Sequence, residues 1–289
     1  MSNYRVRPIE GPFAQYELTE TETDSLVVIA AGRGGMAIRF RSHGKELFYL
    51  DEATFYDEQA NVRGGNPVLF PICGQLAEGA YEWNGVRYTM KNHGVARILP
   101  WKVLETNDRE EASITLALEA DARTLTAYPF DFKLQFTYVL KDGRLTIRQQ
   151  YANRSEQPMP MYAGFHPYFR TEAKRLAYET DATRLYNYND NKEKPFDGSV
   201  DLDEGPEASA LLDAASGYIR FRPFDDYSVC VRYDALFRYV VLWSVKDKPF
   251  VCVEPWMARA RALNEREELV MVGPGQTLHA EISMEGEPL

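Results

Sequence analysis

The chain has 289 residues, of which 45% are hydrophobic and 13% aromatic, and its formal net charge is -10. This composition excludes an intrinsically disordered protein, because it provides enough apolar surface for a large core. The acidic balance argues against nucleic acid and anionic membranes as partners, since both need a basic protein face.

Targeting signals and cysteine usage point to one compartment. No run of apolar residues approaches the roughly 18 that a membrane-spanning helix needs, and residues 1–20 contain no apolar segment of signal-peptide length. Cys73, Cys230 and Cys252 form no Cys-x-x-Cys pair, which argues against a disulfide framework or a zinc site. We therefore expect a cytoplasmic protein without a membrane partner, whose cysteines are free thiols packed in the core.

Strand-like segments begin near residue 25 and are separated by glycine-containing turns. The first segments are Leu26 to Ala30, Met36 to Phe40 and Glu46 to Leu50. The turn Gly32-Arg33-Gly34-Gly35 does not indicate a phosphate-binding loop, because neither Gly-Lys-Ser/Thr nor a long amphipathic helix follows it. Residues 51–76 then form a long, mostly polar loop.

Two-residue turns predict two hairpins. Asn84-Gly85 lies within the aromatic segment Tyr81 to Tyr88, and Asp142-Gly143 joins Phe132 to Leu140 with Leu145 to Tyr151. Asn-Gly and Asp-Gly favour the turns that match the twist of an antiparallel strand pair. Both segments are therefore expected to fold as antiparallel hairpins.

Residues 181–210 are the most polar stretch, which we interpret as a long excursion over one end of the sheets. Strand patterns then resume at Tyr218 to Phe221, Tyr227 to Tyr233, Tyr239 to Val245, Phe250 to Val253, Leu269 to Val272 and Leu278 to Ser283. No long window shows helical periodicity and no repeat is present. The sequence predicts an all-β fold, a large antiparallel β-sandwich, in a single domain over residues 1–289.

Glu254 interrupts the apolar segment Val251 to Trp256, which otherwise has the pattern of a buried strand. A buried carboxyl group has a raised pKa, closer to neutrality, where a general base is most useful. A glutamate near the end of a strand also fits a side chain that turns into solvent. Local position leaves both interpretations open.

Two histidines have neighbours that suit a binding cleft. His93 directly precedes a glycine and stands four residues before Arg97, so one turn can present an imidazole and a guanidinium. His166 is flanked by aromatic residues at 165, 168 and 169. Flat apolar faces beside a polar group are typical of a sugar site, although a hydrogen-bonded core histidine has the same local pattern.

Two other kinds of catalytic site find less support. The separations among His93, His166 and Glu254 show no short metal-ligand spacing such as His-Glu-x-x-His, so no metal is expected. A Ser-His-Asp site lacks a Gly-x-Ser-x-Gly turn for its nucleophile.

Three short motifs, in this order and at these separations, resemble the aldose 1-epimerase (galactose mutarotase-like) family. They are Asn92-His93-Gly94-Val95-Ala96-Arg97, Gly164-Phe165-His166-Pro167-Tyr168-Phe169 and Cys252-Val253-Glu254-Pro255-Trp256. The segment Val68 to Ile72 and the closing Gly273-Pro274-Gly275 are also similar to members of this family. The resemblance covers about residues 65–275.

The resemblance implies a galactose mutarotase-like β-supersandwich and interconversion of the α and β anomers of an aldose, without a cofactor. Glu254 corresponds to the base that takes the proton of the C1 hydroxyl, and His166 to the acid that protonates the ring oxygen. His93 corresponds to a hydrogen-bond partner of the sugar near that oxygen. Independently of the resemblance, anomerisation needs one acid and one base near neutral pH, and a desolvated glutamate with a histidine suits that task.

Two positions depart from the family pattern. Many relatives have an arginine where this chain has Gln75, so the sugar-binding guanidinium is either missing here or supplied instead by Arg97 or Arg63. The substrate-binding aspartate has no clear match, and Asp197 is the best candidate in the polar excursion.

The departures leave three activities open besides the epimerase. A hexose-6-phosphate epimerase of the same fold would bind the phosphate through basic side chains, and a carbohydrate-binding protein would keep the cleft without turnover. A glycoside hydrolase would need a second carboxylate in a comparable motif, which the sequence does not show. In each case the expected partner is a small sugar or sugar phosphate, bound by a monomer or homodimer.

Overall fold

The computed structural model describes residues 3–58 and 60–289. Strand accounts for 51% of the chain and helix for 7%. The strands of the described residues pair antiparallel in their sheets. The all-β prediction is therefore confirmed.

The strands of the first half are β1 (Tyr4–Ile9), β2 (Gln15–Glu20), β3 (Ser25–Ala30), β4 (Met36–Ser42), β5 (Lys45–Glu46), β6 (Val68–Leu69), β7 (Ala80–Trp83), β8 (Val86–Thr89), β9 (Lys102–Asn107), β10 (Ala112–Glu119), β11 (Phe132–Lys141) and β12 (Arg144–Asn153). Those of the second half are β13 (Met159–Met161), β14 (Gly164–Phe165), β15 (Tyr168–Arg170), β16 (Arg175–Glu179), β17 (Arg184–Asn187), β18 (Lys192–Pro195), β19 (Ser199–Asp201), β20 (Ser209–Leu211), β21 (Tyr218–Phe224), β22 (Tyr227–Tyr233), β23 (Tyr239–Trp243), β24 (Phe250–Trp256), β25 (Val270–Val272) and β26 (Thr277–Pro288). The helices are short: α1 (Glu52–Tyr56), α2 (Ala122–Ala127), α3 (Ala262–Glu265) and the 3₁₀ turns Ala77–Gly79 and Ala96–Ile98.

Two large sheets face each other across the core. One has the order β19-β16-β21-β22-β26-β12-β11-β10-β9, and the other has β18-β17-β20-β23-β24-β14-β6 with β15 also paired to β24. Ring centroids meet across the interface, with Phe136 6.0 Å from Phe165 and Phe169 5.1 Å from Phe221. This packing confirms the predicted sandwich.

A third sheet, β1 to β5, lies beside the sandwich and helps to position the cleft. Both faces of β3 are buried, because Phe55 of α1 and Val62 pack against the face that is turned away from the main core. The Arg33 side chain, only 2% exposed, donates to the carbonyl oxygens of Thr54, Asp57 and Ala60. These contacts hold the segment that leads into the cleft.

Both predicted hairpins are present. Asn84 and Gly85 have φ angles of 51° and 76°, and Asp142 and Gly143 have 53° and 71°. Two successive left-handed residues are what a type I′ turn requires, and these residue types tolerate that conformation. The flanking strands pair in register directly beside each turn.

Two expectations about strands were wrong in detail. The segment predicted over Glu46 to Leu50 is a strand only to Glu46 and continues as single bridges, Phe48 with Phe169 and Leu50 with Gly64. Residues 181–210 do not merely cross one end of the sheets, because they contain β17 to β20, which pair at the sheet edges. Their polarity reflects short edge strands that expose many side chains.

One large cluster of buried hydrophobic residues includes members from the third sheet and from both faces of the sandwich. This shared core supports the predicted single domain over residues 1–289, which stays a proposal. Among the described residues, no helix has the length and apolar character that crossing a membrane requires.

Candidate active site

Glu254 is the fifth of the seven residues of β24, all of which are buried. Alternation along the strand turns Val251 and Val253 into the main core and puts Cys252, Glu254 and Trp256 on the opposite face. That face forms the floor of a cleft. Glu254 is 1% exposed, so the interpretation of a side chain that turns into solvent is wrong.

His166 lies level with Glu254, in the two-residue link between β14 and β15. Gly164 of β14 pairs with Trp256, and Tyr168 of β15 pairs with Cys252, so His166 is midway between these two pairs. The distance from His166 Nδ1 to Glu254 Oε1 is 3.4 Å. The two atoms are not aligned as a hydrogen bond, and Nδ1 has no partner among the described residues.

His93 occupies a tight turn whose backbone contacts Gly74. His93 has a φ of 66°, and its amide donates to the Gly74 carbonyl at 2.9 Å. In return the Gly74 amide donates to His93 Nδ1 at 3.1 Å. An uncharged imidazole whose Nδ1 accepts must carry its proton on Nε2, so His93 is fixed as a donor through that nitrogen.

Gly94 allows the turn to approach the core. Its φ is 79°, and a Cβ atom there would lie 2.1 Å from the carbonyl oxygen of Phe70. Only glycine fits such an approach in this conformation. The ring of His93 consequently lies 5.2 Å from that of His166, at an angle of 81°.

Burial dominates the electrostatics of the site. It raises the pKa of Glu254 well above its usual range, while the Trp256 hydrogen bond and the Arg97 charge oppose this rise. Burial lowers the pKa of His166 to about 3 and that of His93 well below its usual range, with Arg97 acting in the same direction on both. Both directions favour the uncharged forms of the two groups, in which a shared proton lies on the carboxyl group and not on His166.

Arg97 is 5% exposed and lines the cleft. Its guanidinium donates to the Val62 carbonyl at 3.1 Å, and its Nε has no partner. No carboxylate of the described residues forms an ion pair with it. Arg97 is thus a buried cation with unused donors.

The cleft is a cavity of about 330 Å³ with aromatic walls. Tyr168 stacks on His166 with centroids 4.7 Å apart and an angle of 8°, and Trp243 meets the same imidazole edge to face at 5.6 Å. Flat rings beside polar groups suit the C–H faces and hydroxyls of a sugar.

Most of the predicted site residues line this one cavity: Glu254, His166, His93, Arg97, Gln75 and Arg63. Asp197 does not. It is exposed, outside the cavity, and accepts hydrogen bonds from the amide and hydroxyl of Ser199. The expected aspartate contact is corrected accordingly, because Asp197 closes a local turn before β19.

Three further residues line the cavity and were not predicted from the sequence: Trp243, Tyr188 and Glu207. Trp243 could have been found from strand alternation, since it pairs with Cys252 and so shares the face of Glu254. Tyr188 and Glu207 lie in the polar excursion, where no periodic signal marks them. His166, Cys252 and Glu254 form a group of possible metal ligands, with ligand atoms that all lie within 4.8 Å of one another.

Comparisons with known proteins agree with this architecture. The sequence model of the family described as aldose 1-epimerase matches residues 17–210. The chain is similar to the Slr1438 protein of Synechocystis sp. PCC 6803, with 31% identity, a TM-score of 0.92 and all of both chains covered.

Two further proteins are more distant. Protein LacX of Lactococcus lactis subsp. lactis is 26% identical in an alignment of 280 positions, which covers 85% of this chain and 89% of LacX. A galactose mutarotase related enzyme of Lactobacillus acidophilus shares the fold, with 24% identity, a TM-score of 0.77 and coverage of 98% and 97%. From the matched family model and the relative with 31% identity, the chain belongs to the aldose 1-epimerase family.

Proposed function

We propose that the protein interconverts the α and β anomers of an aldose by opening and closing the sugar ring. The observation that supports this most is the pairing of Glu254 and His166, 3.4 Å apart on the floor of an aromatic cavity. An isomerase of this type needs an acid and a base and no cofactor.

Ring opening begins with Glu254 as the base. Its carboxylate takes the proton of the C1 hydroxyl, the C1–O5 bond breaks, and protonated His166 gives its proton to O5. The product is an open-chain aldehyde, and rotation about C1–C2 exposes its other face. The same transfers in reverse close the ring as the other anomer.

The raised pKa of Glu254 and the lowered pKa of His166 suit this cycle of proton transfers. The ion pair, with the proton on His166, begins ring opening, and the neutral pair, with the proton on Glu254, begins ring closure. Both forms hold one proton, so the pair needs no exchange with solvent between turnovers. Burial favours the neutral form, and sugar hydroxyls that hydrogen-bond to the carboxylate stabilise the ion pair.

His93 has a different role. Because Gly74 occupies its Nδ1, the imidazole donates through Nε2 to the sugar near the ring oxygen. A low pKa keeps His93 uncharged, so it orients the sugar without exchanging a proton.

A second candidate substrate is a hexose 6-phosphate. Arg63 and Arg97 both line the cavity, and neither forms an ion pair with a carboxylate of the described residues. Two guanidinium groups with free donors match the oxygens of a phosphate. The ring chemistry at Glu254 and His166 would be the same for both substrates.

Polarimetry tests the proposal. At pH near 7, the optical rotation of freshly dissolved α-glucose or α-galactose should relax faster with protein than in buffer. If the substrate is a hexose 6-phosphate, the optical rotation of its α-anomer should relax faster instead. If the optical rotation of none of these sugars relaxes faster with protein than in the buffer control, the proposal of an isomerase is wrong. Calorimetric binding of sugar without acceleration would identify a carbohydrate-binding protein instead.

The remaining expectations stay proposals. The three cysteines are buried free thiols, which supports a reducing compartment such as the cytoplasm. A small sugar is the proposed partner, bound by a monomer or a homodimer.

A further inference from the structure

We propose that His166, Cys252 and Glu254 form a binding site for a thiophilic divalent cation, represented by Zn²⁺, on the floor of the sugar cavity. The ion is not proposed as a catalyst. By occupying the acid and the base together, it inhibits the enzyme. The inhibition rests on the proposed function, whereas the binding does not.

The donor atoms of the three side chains all lie within 4.8 Å of one another. A tetrahedral zinc ion has bonds of about 2.0 to 2.3 Å, which separate its ligand atoms by about 3.3 to 3.8 Å. Closing the difference needs a movement of about 1 Å, which side-chain rotation supplies without a change in the strands. Nitrogen, sulfur and oxygen ligands together suit zinc.

Strand geometry brings the thiol to this place. Cys252 lies two residues before Glu254, on the same face of β24. It pairs across the sheet with Tyr168 on one side and Trp243 on the other, and both of those rings contact His166. Cys252 is fully buried, and the two residues that would share the ion with it, His166 and Glu254, line the cavity.

Hydrogen bonding distinguishes this set from its neighbours. His166 Nδ1 is buried without a partner among the described residues. In contrast, His93 Nδ1 accepts from Gly74, and the Cys73 thiol donates to the carbonyl of Ala258 at 3.2 Å. A nitrogen with a free lone pair, next to a thiol and a carboxyl group, is the arrangement that an ion can occupy without breaking an existing bond.

Three protein ligands leave a fourth position directed into the cavity for water or a sugar hydroxyl. On binding, the Cys252 thiol and the Glu254 carboxyl group each release a proton to the buffer, and the thiolate and the carboxylate coordinate the ion. Magnesium and calcium prefer all-oxygen sites, so they should not compete. The same lone pairs that transfer protons in catalysis are then unavailable to the sugar.

Cobalt(II) provides a direct probe, because thiolate coordination gives a charge-transfer absorption in the near ultraviolet. We expect one Co²⁺ per chain with this band in the wild type and in the matched control Cys230→Ser, whose thiol lies on β22. Cys252→Ser should lose the band and bind Zn²⁺ at least about 100-fold more weakly. A band that persists in Cys252→Ser, or no stoichiometric binding in the wild type, overturns the proposal.

If the Cys252→Ser protein does not fold, a second variant still tests the site. Glu254→Gln removes one anionic ligand, so it should keep the cobalt band and weaken Zn²⁺ binding at least about 10-fold. Unchanged Zn²⁺ affinity in this variant contradicts the site. These readouts need no turnover, so they are independent of the epimerase assay.

An activity assay tests whether Zn²⁺ bound at this site inhibits the proposed epimerase. In an active wild type, Zn²⁺ should inhibit, Mg²⁺ should not, and a chelator should restore the rate. Zn²⁺ binding at this site without inhibition would overturn the inhibitory role.

Discussion

The indole N–H of Trp256 donates to Oε2 of Glu254 at 3.0 Å, from a position two residues further along the same strand. Both side chains are buried on the face that forms the cleft floor. The bond favours the charged form of the carboxyl group and so opposes the effect of burial on its pKa. Trp256 is therefore a positioning residue that leaves the other oxygen, Oε1, directed at His166.

Trp256→Phe should shift the alkaline limb of the pH–rate profile. The active pair holds one proton, which is lost as pH rises through the raised pKa of Glu254, so activity falls on the alkaline side. Removing a donor to the carboxylate raises that pKa further, and the limb should move by about 1 unit to higher pH.

Trp243→Phe is the matched control for this change. Its indole also faces the cavity, but its N–H donates to the carbonyl of Pro206 and not to Glu254. The alkaline limb of the pH–rate profile of Trp243→Phe should lie at the same pH as that of the wild type. An equal displacement in both variants, or none in Trp256→Phe, would contradict the positioning role.

Glu254→Gln should stabilise the protein at neutral pH. In the wild type, the raised pKa means that only the unfolded chain releases this proton as pH rises above the ordinary glutamate range, which favours unfolding. Glutamine does not titrate, and its amide oxygen can still accept from Trp256. Denaturant unfolding should show a gain of about 1 to 3 kcal/mol at pH 7 that disappears near pH 4.

The comparison for that experiment is Glu105→Gln, which changes an exposed glutamate of β9. Its stability should differ little from that of the wild type at either pH. A gain for Glu254→Gln that is the same at pH 7 and pH 4 would show that the carboxyl group is not destabilised by burial.

The sequence was sufficient for the features that depend on local pattern. An acidic residue in an apolar strand made Glu254 a candidate, while its local position also fitted a side chain that turns into solvent. Glycine next to histidine predicted the turn of His93, whose left-handed backbone the structure shows. Strand alternation and Asn-Gly and Asp-Gly turns predicted the antiparallel sheets.

Features that depend on the turns within polar segments and on pairing between distant strands could not be predicted. Asp197 looked available because the sequence does not reveal that Ser199 satisfies its carboxylate. Glu207 reaches the cavity only because β20 pairs with β17 and β23, which lie far apart in the chain. The distance between His166 and Glu254 likewise depends on the register of β24 against β14 and β15.

Arg63→Ala should separate the two candidate substrates. Arg63 lines the cavity without a carboxylate partner among the described residues, so a phosphate is the group it would bind. If a hexose 6-phosphate is the substrate, its KM should rise about 10-fold, since a hydrogen bond to a charged group is lost.

The unphosphorylated sugar should keep its KM in Arg63→Ala, and the matched variant Arg5→Ala, an exposed arginine of β1, should change neither value. An equal rise in KM for both substrates would argue against phosphate recognition by Arg63.

Gly94→Ala should destabilise the fold by about 3 kcal/mol or more, because the new Cβ would meet the Phe70 carbonyl oxygen at 2.1 Å. Gly85→Ala is the control. Its φ of 76° is similar, but nothing lies within 4 Å of the added atom, so it should cost only about 1 kcal/mol. If denaturant unfolding shows the same loss of stability in Gly94→Ala and Gly85→Ala, then backbone conformation, and not the close approach to Phe70, explains why position 94 requires glycine.

The central claim is that Glu254 transfers a proton to and from the sugar. Its most direct test is polarimetry of freshly dissolved α-sugar with wild type and Glu254→Gln at pH 7, alongside calorimetric titration of each protein with the same sugar. We predict a loss of at least about 100-fold in the enzymatic rate, with sugar binding still measurable. Wild-type acceleration in Glu254→Gln would contradict the account.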